Sequence, residues 1–174
     1  MNLQTLSDLY RHMEWADAAV WRATLASASA REDTRVNQLG HHLHLVQHAY
    51  LRAFRQEPMA AAWPTFADAQ SLMLWGRGYY PGILKYLESL SEANLVKPFE
   101  NPWMEIVTKE LGRSPEPATL GELMMQVPLH SLYHRGQINT RLREVGVEPP
   151  AVDYIVWRWL GKPSPDWIEI DAEL

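Results

Sequence analysis

His130 and His134 stand four residues apart in the run His130-Ser131-Leu132-Tyr133-His134-Arg135-Gly136-Gln137. On a helix, residues four apart share a face, with Cβ atoms about 5–6 Å apart. Two imidazoles so placed can grip one divalent metal ion. A third imidazole from another helix would complete a facial tripod with open positions for water or substrate. Burying two imidazoles one turn apart is unfavourable unless both find partners, so the spacing favours a ligand pair over two packing histidines. Position 131 is Ser, so the run is not His-Glu-x-x-His, and the general base built into that metalloprotease motif is missing.

The third imidazole has to come from upstream, where His41, His42, His44 and His48 cluster. At helical spacing His42 shares a face with Val46, Ala49 and Ala53 and is expected to point inward. His41, His44 and His48 gather on a different face, which reads as a solvated or interface surface. His42 is therefore the favoured ligand, with His48 and then His44 as alternatives. His12 reads as a helix-packing histidine, with an outer role near the metal as the alternative. Asp17 either orients a ligand imidazole or pairs locally. Gln137, three residues after His134, can reach a ligand or substrate. Tyr133 can hydrogen-bond a substrate, although aromatic residues at helical spacing more often pack in a core. Pro128 lies just before His130 and should open the helix ladder beside the site.

Composition narrows the setting. The chain has 174 residues, enough for one domain over 1–174 with a substantial core. A formal net charge of −5 argues against nucleic acid or an anionic membrane as the primary partner. The absence of cysteine removes thiol nucleophiles, thiolate ligands and disulfides, and fits a reducing cytoplasm. Neither a signal-peptide pattern nor an apolar run long enough for a membrane span is visible, so the expected location is cytoplasmic.

The histidines need helices to position them. Leu6, Leu9, Tyr10, Met13, Ala16, Val20 and Leu25 recur near helical spacing and predict a first helix over about 2–28. Leu39, Leu43, Val46, Tyr50 and Phe54 stripe a second, from Asp33 or Thr34 to Gln56. Thr65 reads as the N-cap of a third helix over about 66–90, kinked at Pro81. From Ser91 to Ala118 prolines break the pattern, and an extended loop with a short strand near Met104–Thr108 is expected. That loop and the adjoining helices would enclose the substrate cavity. Thr119-Leu-Gly-Glu122 reads as a capping box opening a fourth helix to about Glu144, with Gly146 beyond its end. A short fifth helix covers about 151–160, and Trp167 anchors the tail. The fold class is all-α: a four-helix bundle with a short C-terminal helix and a long loop between helices 3 and 4.

Against these elements, the stretch His130-Ser-Leu-Tyr-His-Arg-Gly-Gln-Ile138, then Leu142-Arg-Glu-Val-Gly-Val-Glu-Pro-Pro150 and Asp153, resembles the DinB/YfiT-like family of metal-dependent four-helix proteins. The two histidines of the family's His-x-x-x-His-Arg-Gly-Gln pattern are metal ligands and fall on His130 and His134. Its second-helix pattern falls on His42, Gln47 and Tyr50, whereas His44 and His48 do not fit that spacing. The run His12-Met-Glu-Trp-Ala-Asp17 is similar to the family's Trp-Ala-Asn/Asp signature. Gln126 departs from the pattern, since many members carry a histidine there. The resemblance implies a divalent cation held by His42, His130 and His134. Zinc or nickel comes first, with iron, copper or manganese as the other candidates. It also implies a homodimer and an enzyme that activates a low-molecular-weight thiol, as in thiol transferases and isomerases of the family, or activates water as a hydrolase does. The alternative is a non-catalytic structural or sensory metal-binding protein of stress response.

Overall fold

The computed structural model describes residues 2–59, 62–100 and 102–169. Helix α1 spans Leu3–Ala26, opened by the Asn2 side chain, which accepts from the Thr5 N–H at 2.8 Å. After the one-turn helix α2 (Ala28–Arg31), Asp33 caps α3 (Thr34–Phe54) by accepting from the Val36 N–H. Each cap satisfies a donor that the first helical turn would otherwise leave open.

The expected third helix is two helices, α4 (Ala69–Arg77) and α5 (Tyr79–Glu88). Asp68, not Thr65, is the cap, accepting from the Ser71 N–H at 2.7 Å. The break falls at Gly78 and not at Pro81. Pro81 occupies the first turn of α5, where its missing N–H has no helical partner to lose.

The segment expected as a loop is largely folded. A short helix α6 (Glu92–Leu95) leads into strand β1 (Pro98–Phe99), which pairs antiparallel with β2 (Ala118–Thr119). Between the strands Met104–Leu111 form a helix, α7, where a strand was expected. Gly112 ends it in the left-handed conformation, φ 67°, which glycine adopts without strain. The capping box of Thr119 and Glu122 then opens α8 (Leu120–Glu144), and Asp153 precedes the short α9 (Tyr154–Trp159).

Among the described residues the fold is thus all-α apart from one two-residue ladder, with α1, α3, α4–α5 and α8 as its long members, and two apolar cores fill it. One joins Leu6, Tyr10 and Met13 to Met73, Tyr80, Ile83 and Val127; the other joins Ala16 and Val20 to Val36, Leu43, Ile138 and Leu142. Trp157 and Trp167 are buried within the chain, so only Trp159 among the three C-terminal tryptophans is an exposed surface residue. Among the described residues no helix is long and apolar enough to cross a membrane.

Helix α8 runs through Pro128 without interruption. The proline has no N–H for the carbonyl of Met124, one turn back. The buried Tyr10 hydroxyl from α1 donates to that carbonyl instead, at 2.9 Å. The gap in the ladder becomes a joint between two helices, immediately before His130.

Candidate metal centre

Helices α3 and α8 pack antiparallel. Arg141 near the end of α8 reaches Asp33 at the start of α3 with three contacts of 2.8–3.2 Å. This alignment sets His42, on α3, against His130 and His134, on α8. The His42 ring centroid lies 4.5 Å from that of His134 and 5.3 Å from that of His130, and the α8 pair is 4.4 Å apart. One ligand atom from each of the three lies within 4.8 Å of the others. His42 is exposed at the rim of the bundle and not turned into its interior, while His130 and His134 are half-buried.

The proton arrangement suits metal binding. His134 donates its Nδ1–H to Gln137 Oε1 at 2.8 Å, which leaves the Nε2 lone pair free. Among the described residues, the buried His130 Nε2 has no hydrogen-bond partner. Partial burial and the facing His134 and His42 hold His130 neutral, its pKa pushed down to about 4. Burial, then His134 and His41, also lower the pKa of His42. An unpartnered nitrogen beside two further imidazoles, two of the three held neutral, is a donor set that fits a divalent cation.

The other histidines do different work. His44 is not on a solvated face: it is fully buried. Trp21 Nε1–H donates to its Nε2 at 2.7 Å, and its Nδ1–H donates to Gln47 Oε1 at 2.8 Å. Gly76 makes room for it, since a Cβ there would lie 2.3 Å from His44 Nε2. His48 stacks on Trp75 and donates to the Trp75 carbonyl, and His41 donates to the Pro64 carbonyl. His12 donates to the Val152 carbonyl among Trp15, Tyr154 and Trp157.

Asp17 contacts no tripod imidazole. It receives Arg135 Nη1–H at 2.6 Å, with both side chains 2–3 % exposed. It also accepts from the Tyr80 hydroxyl and from Gln47 Nε2 at 2.9 Å. Gln47 further reaches Ser131 Oγ at 3.2 Å. The buried roles of His44, Tyr80 and Ser131 were missed in the sequence. The available signal was the stripe Gly40-His44-Gln47-Leu51, which marks a buried face of α3 at steps of three and four.

A cleft of about 630 Å³ lies between α3 and the β1 segment, lined by Ala53, Gln56, Phe99 and Pro102 among others, but not by the three histidines. Tyr133, 64 % exposed, stands edge-on to His134 at 5.1 Å and flanks the site on its open side.

A helical bundle with three histidines converging from two antiparallel helices defines a candidate mononuclear metal-binding protein. The DinB family model matches residues 1–164, and the chain belongs to the DinB family. No curated protein matches it.

Proposed function

We propose that this chain is a metal-dependent enzyme in which His42, His130 and His134 hold one divalent cation, zinc or nickel first. The observation that carries the reading is the convergence of three imidazoles around the unpartnered His130 Nε2. A bound cation would supply Lewis acidity, lowering the pKa of a small thiol or of water so that the anion exists near neutral pH. The chain's own residues prepare that chemistry. Gln137 fixes the His134 tautomer, and partial burial, followed by neighbouring imidazoles, lowers the pKa of His42 and His130. With no cysteine in the chain, a nucleophilic sulfur has to come from a low-molecular-weight thiol.

Exposure of His42 at the rim supports an open coordination position, which separates catalysis from a closed structural site. Among the described residues, the cluster offers three ligands and no fourth protein ligand. The second reading, a structural or sensory site without turnover, keeps the same ligands. A cytoplasmic homodimer completes the proposal, with Leu129, Leu132 and Tyr133 as exposed apolar residues of α8 for its interface.

The test is metal content of tag-free protein purified without chelator, wild type beside His134→Ala. Near-stoichiometric metal in wild type and its loss in the variant are expected. Thiol transfer and hydrolysis would then be assayed on the loaded protein. If wild type neither carries nor takes up zinc or nickel while remaining folded, the metal reading is wrong. If it binds metal and catalyses neither reaction, the structural or sensory reading stands.

A further inference from the structure

We infer that Ser131 and Gln47 are positioning residues for the tripod, a register clamp between α3 and α8; this rests on the metal reading above. Two of the three ligands, His130 and His134, belong to one helix and move as a body. Tripod geometry therefore reduces to one relation, the placement of α3 against α8. The buried Gln47 Nε2–H reaches across that interface to Ser131 Oγ at 3.2 Å. Ser131 follows His130 directly, and Gln47 lies five residues after His42. A shift of either helix that spoils the tripod also spoils this contact.

The amide of Gln47 is held in one orientation. Trp21 donates to His44, and His44 donates to Gln47 Oε1. The carbonyl end of the amide is thereby fixed, and its N–H groups face Ser131 Oγ, Asp17 Oδ2 and the Tyr80 hydroxyl. Asp17 ties the arrangement to α8 a second time through Arg135, the residue after His134. The same turn of α8 thus carries ligands on its outer side and the clamp on its inner side. Such supports commonly govern how well ligands meet a metal.

The experiment uses full-length protein and Co²⁺ alone as the probe, reading the dissociation constant and the visible absorption of the bound ion. Ser131→Ala removes one acceptor and leaves Gln47 its bonds to Asp17 and Tyr80, so the metal-free thermal midpoint should barely move. Thr140→Ala is the control: it removes a hydroxyl of α8 that bonds only within the helix, to the Gly136 carbonyl. Ser131→Ala is expected to weaken Co²⁺ binding about tenfold, the low end of what outer-shell partners contribute, and to alter the absorption bands. Thr140→Ala should match wild type in both. Wild-type affinity and spectrum in Ser131→Ala would overturn the clamp while leaving the metal site standing. An equal loss in Thr140→Ala would also overturn it, by making the effect general to α8. Failure of wild type to bind Co²⁺ would overturn the metal reading and the clamp together.

Discussion

At the scale of single residues, the lowered pKa of His130 makes a prediction about pH. His130 has its pKa lowered from 6.5 to about 4 by burial and by its two imidazole neighbours. Between those values the unfolded chain binds more protons than the folded one, so stability contributed at this position is present above pH 6.5 and is lost as pH falls toward 4. Metal-free wild type should therefore lose more thermal stability than His130→Ala over that interval; parallel melting profiles would contradict the assignment. The shared face of His130 and His134 was legible in the sequence because four-residue spacing has one geometric meaning on a helix. His44 was legible only in part. The stripe Gly40-His44-Gln47-Leu51 marks its face of α3, but Trp21 and Gly76, which complete its surroundings, come from α1 and α4, and no local pattern announces partners so far apart.

At the scale of elements, the long helices could be read from apolar periodicity and caps. Helix α8 starts at its capping box, and Gly146 takes a positive φ of 83° beyond its end, as the sequence suggested. The segment between α5 and α8 could not be read. Its prolines suggested a loop, but β1 is stabilised by pairing with β2, nineteen or more positions away in sequence, and α7 lies between them. Short elements of that kind follow from tertiary contacts, which override weak local preference. The joint of Tyr10, Met124 and Pro128 belongs at this scale too. Tyr10→Phe would leave the Met124 carbonyl buried without a donor and should cost about 1–3 kcal/mol. Chemical denaturation would measure it, and an unchanged midpoint would show that the carbonyl finds another partner.

At the scale of the molecule, the described segment after α9 is tied to the bundle and contributes Trp167 to its core. Lys162 binds Asp8 at 2.6 Å, Arg22 binds Asp166, and Trp167 packs against Tyr80 and donates to Glu14. The family match ends at residue 164, short of Trp167. Trp167→Ala should nevertheless destabilise the fold by about 3–5 kcal/mol, the usual cost of emptying a buried indole site. A loss below 1 kcal/mol in denaturant titration would show that the segment only rests on the surface.

His42 and His130 sit on opposite sides of everything from α4 to α7 in the chain. A cation joining them would act as a reversible staple around that whole stretch. Closing so long a loop carries a chain-entropy cost that must be met before the ligands can meet. The staple would form late, after α3 and α8 have docked, and it would have to break early when the protein opens. Its main effect should then be on lifetime: zinc should slow the unfolding arm of a chevron and leave the refolding arm nearly untouched. Equal acceleration of refolding would mean that the three histidines gather before the bundle does.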